Sequence, residues 1–151
     1  MTTPELKNKI EAAANKALVA YAAKYPGAVK GTFFYGIRQE QELQHNKPVP
    51  HIYCNPLTSK KNRSSGVIKW RDILIAFIDK DESDSLTQQR TPILDRMHWL
   101  SEEFQTLLLD EDDEMENDIE IQEDDIVNDY TLNGTGKLIT IPKIESVEAL
   151  C

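Results

Sequence analysis

Apolar residues recur every three or four positions near the start of the chain, at Leu6, Ile10, Ala13, Ala17 and Tyr21, with Leu18 beside them. That spacing predicts an amphipathic helix over residues 4–25. Pro4 suits its first turn, Glu5 favours the positive end of its dipole, and Pro26-Gly27 stops it. Residues 31–37 read as a strand, with Phe33, Tyr35 and Ile37 facing one way and Phe34 and Gly36 the other. A polar linker, 39–47, follows. Pro48 and Pro50 flank a strand at 51–54, which predicts an edge position or a short strand.

Residues 55–66 combine turn formers with three bases and read as a loop. The strongest strand pattern is 67–78. Its first half alternates, with Ile68 and Trp70 opposite Lys69 and Arg71. Its second half is apolar on both faces, as in a central strand covered on both sides. A helix then runs to Leu109, with Ile93, Met97, Leu100, Phe104 and Leu107 or Leu108 as its stripe. Ser85 and Gln88 form a capping box at its start. Pro92 implies a kink in this helix, or a restart with Thr91 as cap, and one kinked helix is the preferred reading. Further strands are expected at 119–121, 126–132 and 137–141, the last two joined by a hairpin turn through Asn133-Gly134-Thr135-Gly136. The tail 143–151 reads as loosely ordered. The order α-β-β-β-α-β-β defines an α+β fold: a mostly antiparallel sheet of about five strands flanked by two helices, in one domain over residues 1–142.

Composition changes this picture in one place. The formal net charge of −9 is concentrated in residues 110–125, which hold eleven acids and no base. Without them the chain has 15 acids against 17 bases. The body is near neutral, and 110–118 reads as an acidic loop. No segment approaches the roughly 20 apolar residues that span a bilayer, and no secretory leader is visible, so the expected compartment is the cytoplasm. Cys54 and Cys151 read as free thiols, Cys54 as a small buried hydrophobe.

Four motifs invite chemistry, and each has a simpler reading. Gly134-Thr135-Gly136-Lys137 lacks the spacing of a phosphate-binding loop, with Thr131 and Leu138 at the deciding places. Counted from Asp110, a calcium loop would need glycine and glutamate where Met115 and Ile121 stand. His45, His51 and Cys54 lack the paired spacing of a zinc site, and His51 and Cys54 would point to opposite faces of a strand. His98 has no partner that the sequence places beside it. No catalytic site, metal or cofactor is assigned. The basic cluster Lys60, Lys61 and Arg63 has no interleaved aromatics, which argues against nucleic-acid binding; its simpler reading is a solvated loop tip, and its sharper one a contact with an acidic neighbour.

Several segments together resemble a known family: Tyr35-Gly36-Ile37-Arg38, His51-Ile52-Tyr53-Cys54-Asn55-Pro56, the stretch Asp72 to Asp81, Asp84-Ser85, Ile93-Leu94-Asp95-Arg96-Met97, and Phe104. Over residues 30–141 the chain is similar to tail-completion or tail-terminator proteins of tailed phages and prophages of Bacteroidetes-type hosts. The resemblance implies an α/β fold whose subunits close into a ring, often a hexamer, on the tail tube at the head–tail neck. It implies assembly in the host cytoplasm, a place in the virion, tube and connector proteins as partners, and no catalytic residue. The interface expected is an exposed sheet edge near residues 51–54 together with Lys60, Lys61 and Arg63, meeting the acidic run of a neighbour, Asp112, Asp113 and Glu114 included. Two other classes stay open: an acidic interaction protein that mimics nucleic acid and binds a basic partner, and a small enzyme whose residues meet only in space.

Overall fold

A computed structural model of the chain describes residues 1–44, 46–81, 87–110, 119–129 and 134–147. The fold is α+β, and the described residues form a mostly antiparallel sheet of six strands with three α-helices. Helix α1, Thr3–Lys24, starts with a capping box in which Thr2 and Glu5 satisfy each other's backbone N–H groups. Its expected stripe is its buried face, extended by Ala14. Helix α3, Thr87–Gln105, is one helix with Pro92 inside it. Ser85, its expected cap, lies outside the described residues. After Gln105 the helix widens into a π turn, Thr106–Asp110, which buries both Leu108 and Leu109.

Four short elements complete one side of the sheet. Strand β1, Thr32–Tyr35, is shorter than expected: Ile37 lies beyond it, 48% exposed. The polar linker holds a short helix, α2, Arg38–Glu42. Strand β2, His51–Cys54, is short but not an edge; it lies parallel to β1 and antiparallel to strand β4, Val67–Lys80, with all four residues buried. Both prolines fall before β2, so it loses no ladder N–H to them. The expected loop 55–66 contains strand β3, Ser59–Lys61, paired antiparallel with Ile68–Trp70 of β4.

The last two strands differ most from expectation. Strand β5 is Gln122–Asp129 and starts inside the acidic run, replacing the two strands expected at 119–121 and 126–132. Strand β6 is Gly134–Val147 and pairs with nearly the whole of β4. Gly134-Thr135-Gly136 therefore belongs to a strand and not to the turn. A Cβ on Gly136 would lie 1.7 Å from the Phe77 carbonyl oxygen, so this glycine serves a close backbone approach. Residues 143–147, expected to be loose, are the end of β6 and are held by β4. The path of the sheet is β1-β2-β4-β6-β5, with β3 beside β4.

The faces of this sheet are set by one irregularity. Asp72 has φ +52°, and Arg71↔Lys143 and Ile73↔Ile141 pair on either side of it. Pro142, directly across, has no N–H to give. The left-handed turn at Asp72, a residue type that tolerates it, changes which positions face inward. Ile68 and Trp70 point to the main core before it, and Ile73, Ile75 and Phe77 after it. Strand β6 changes phase at the same level, from Ile139 and Ile141 to Ile144. The two breaks match, so the ladder keeps one register.

Both long helices pack on the face carrying those residues, in one core that also holds Leu6, Ile10, Met97, Leu100 and Phe104. The Trp70 indole N–H donates to Thr3 Oγ1 at 3.0 Å, tying the start of α1 to β4. The other face carries a smaller cluster, Tyr53, Ala76 and Ile78, with Phe34, Ile126 and Leu138 half-buried around it. The second half of β4 is thus apolar on both faces because both are covered, as its pattern implied. At the end of β4, Asp81 accepts from Arg90 Nε at 2.8 Å and from the Thr135 hydroxyl at 2.5 Å. Removing one partner of a buried ion pair costs about 3–5 kcal/mol, so this junction locks β4, α3 and β6 together.

Phe104 is fully buried against Phe77, with ring centroids 5.5 Å apart. Phe104→Ala is expected to destabilise the protein by about 3–5 kcal/mol. Glu102, on the opposite face of α3, is exposed, and Glu102→Ala is expected to change stability by less than about 0.5 kcal/mol. Urea melts of the two variants check the facing of α3; equal loss in both would refute it.

Candidate functional site

Charge is divided between two places on the sheet. The first is the β3–β4 hairpin. Asn62 shapes its turn: its side-chain oxygen accepts from the Ser64 and Ser65 N–H groups at 2.9 and 3.2 Å, and Gly66 takes φ +71°. This local bonding fixes Arg63 at the tip and Lys60 and Lys61 on the strand, with residues 59–65 all exposed. The three bases are therefore on an edge strand and its turn, not on an open loop. Lys60 stands opposite Lys69. Lys69 and Lys143 lie 3.3 and 3.0 Å from Glu145, and together they hold its carboxyl below the ordinary carboxylate range. Lys69 and Lys143, which add bases to this end, are not apparent in sequence because only the β4–β6 pairing, Lys69↔Glu145 and Arg71↔Lys143, brings them into one neighbourhood.

The second place is β5, which among the described residues has β6 as its only sheet neighbour. Asp124 and Asp125 are exposed, Glu123 is half-buried, and Glu120 is exposed just ahead of the strand. Asp125 is paired with Lys137 across the ladder. Gln122 Nε2 donates to Asp124 at 2.8 Å. Asp112, Asp113 and Glu114, expected to supply the acidic contact, lie outside the described residues. The acids that the structure places on an edge are their successors in the same run.

His98 acquires the partners that the sequence did not reveal. Its Nδ1–H donates to Glu123 Oε2 at 2.7 Å, and Nε2 lies 3.9 Å from Glu102. One ligand atom from each of these residues lies within 4.8 Å of the others, so the three are suited to hold a divalent cation. Glu123 Oε1 is buried without a hydrogen bond. The cluster is half open to solvent, and as it stands it fastens the acidic strand to α3.

His51 and Cys54 do point to opposite faces: His51 stacks edge-on with Phe34 and Tyr53, while Cys54 lies in the helix-side core. Burial pushes the Cys54 thiol up to about 12, which makes it inert. His45 lies outside the described residues. An open cleft of about 400 Å³ lies at the phase break, lined by Asp72, Glu120, Ile121, Gln122, Thr140 and Pro142. It offers two carboxylates, an amide and a hydroxyl. No helix among the described residues is long and apolar enough to cross a membrane. No protein-family model matches the chain, and no curated protein is significantly similar to it.

His51 is fully buried and bonded at both ring nitrogens. Nε2–H donates to the Lys47 carbonyl at 2.9 Å, and Nδ1 lies 2.6 Å from the Tyr53 hydroxyl, from which the neutral ring accepts. Burial lowers its pKa from the ordinary 6.5, only partly opposed by the Lys47 bond and by Asp79. The folded state thus binds this proton less well than the unfolded chain. The resulting stability is present above the unfolded pKa and is lost as pH falls through the folded one. As pH falls through and below about 6.5, wild type is expected to lose stability, with a slope from this one group of no more than about 1.4 kcal/mol per pH unit. His51→Gln is expected to flatten that slope, measured by urea melts at several pH values. An unchanged slope would show that another group titrates.

Proposed function

We propose that this protein is a non-enzymatic assembly component that joins copies of itself head to tail, and that it serves as a tail-terminator or tail-completion ring at the head–tail neck of a tailed phage. The observation that carries self-assembly is the separation of charge on one open sheet: bases on β3 and its turn, acids on β5. Two unlike, complementary surfaces on one chain favour heterologous contacts, which close into rings when the rotation permits. The neck assignment rests on the sequence resemblance, and it brings the tail tube and connector proteins as partners. On this reading the protein assembles in the host cytoplasm and remains in the virion. It needs no cofactor and no direct nucleic-acid contact.

A second reading has an observation of its own. Glu120, Glu123, Asp124 and Asp125 crowd one strand and its approach, which suits binding to a basic partner by nucleic-acid mimicry. Mimicry spreads charge over one face, whereas successive residues of β5 point to alternate faces. Self-assembly is therefore preferred. Tight binding to a basic nucleic-acid-binding protein, with no self-association, would favour mimicry.

Native mass and sedimentation at low and high salt, with and without tail tube protein, test the proposal. A ring is expected, weakened by salt because exposed charges are screened beyond about 8–10 Å. Changing Lys60, Lys61 and Arg63 together to Glu is expected to weaken ring formation or docking on the tube while leaving the urea midpoint of the monomer nearly unchanged. A monomer under all four conditions would sink the assembly reading.

A further inference from the structure

We propose that copies join by strand pairing, with the acidic edge β5 of one copy adding antiparallel to the basic edge β3 of the next, so that one sheet runs through the assembly. This deepens the self-assembly reading and rests on it; it is independent of the phage assignment.

Strand direction supports the pairing. Strand β6 is antiparallel to both β4 and β5, so β5 runs with β4. Strand β3 runs against β4. When copies repeat without inversion, β5 of one and β3 of the next are therefore antiparallel, the arrangement that short strands can form without a crossover. Among the described residues each of the two strands has a single neighbour in the sheet, and its other side carries a row of backbone donors and acceptors. Charge excludes the symmetric alternatives: β5 against β5 sets acid on acid, and β3 against β3 sets base on base.

The facing of side chains selects a register. Lys60 is across from Lys69, which points away from the helices because Ile68 and Trp70 point toward them. Lys61 is across from Ile68 and shares the helix side. On β5, Asp124 lines up through Leu138 with Ala76 on the face away from the helices, and Glu123 lines up with Ile139 on the helix side. With the helices of all copies on one side, Lys60 falls opposite Asp124, a base–acid pair, and the next pair of positions shares the helix side. A slip of one residue would put every pair on opposite faces. This register moves each copy along the strands by the interval from Lys69 to Ala76, about 23 Å at about 3.3 Å per residue. The strands must then incline to the ring axis, as staggered strands do in closed barrels.

Two complementary variants test the pairing. Lys60→Glu with Arg63→Glu sets acid on acid where β3 would meet β5; Glu120→Lys with Asp124→Lys sets base on base opposite Lys60. Each variant alone is expected to remain monomeric. A one-to-one mixture is expected to assemble again with strict alternation, so that rings hold an even number of chains. Recovery in the mixture also shows that both variants are folded. Register is read by mixing a Lys60→Cys chain with an Asp124→Cys chain, both with Cys151→Ser, under mild oxidation. Directly opposed strand positions lie within disulfide reach, and the buried Cys54 thiol stays silent. The expected product joins the two different chains and not two like chains. If wild type forms oligomers but the mixed disulfide is missing, or if like chains cross-link instead, strand pairing is overturned and self-assembly stands. If either charge variant assembles alone like wild type, the charge pairing is overturned. If wild type is monomeric, the reading beneath the proposal fails with it.

Discussion

The long ladder between β4 and β6 is the constraint on which the rest of the molecule depends. The two strands pair from Val67↔Val147 to Lys80↔Gly134 on a single register. That register survives only because Asp72 and Pro142 break phase at the same level. A break in one strand alone would leave its partner's apolar residues facing the wrong way beyond it. The paired break gives Trp70 and Ile144 a place in the same core as Phe77 and Ile139. It also sets the far end of the sheet, where β3 attaches, apart from the near end, where β1, β2 and β5 attach.

The helices were legible in sequence because their signal is local. The α1 stripe and the α3 stripe from Ile93 to Leu108 each lie within one element, and burial on one face is enough to impose the period. The two-sided apolar half of β4 was legible for the same reason. Three strands were not. Strand β3 is three residues long with two lysines, and its pairing is decided by Asn62 and the turn after it. Strand β5 begins in an acidic run because an edge strand accepts charge that a central strand would reject. The end of β6 looked loose because Pro142 breaks its pattern, and only the distant Asp72 accounts for that break. Helix α2, with five residues, is too short to show a period.

The candidate surface was legible by composition and hidden in geometry. The bases Lys60, Lys61 and Arg63 and the acidic run stand out in the chain, and each reads as a loop. A loop contact between them would be a diffuse attraction, screened by salt and tolerant of many orientations. The fold turns part of each into a strand with fixed direction and facing. His98 illustrates the same point: nothing near it in sequence foretells that Glu123, from the edge strand β5, will hold its ring and brace β5 against α3.

Charge on an open edge has two consequences that pull in opposite directions. It suppresses indiscriminate pairing, because like edges repel and strange strands meet uncompensated lysines or carboxylates. On the proposed pairing it also marks an edge that does fit, on another copy of the same chain. On that proposal, the residues that protect a chain with both signs on unlike edges from random aggregation are the same ones that direct its assembly. Attraction between the edges mainly speeds and orients encounter, while the backbone ladder formed after contact supplies the geometry. The rim charges should therefore govern how fast copies associate, and the strand pairing should govern how slowly they separate. Salt would then act chiefly on association.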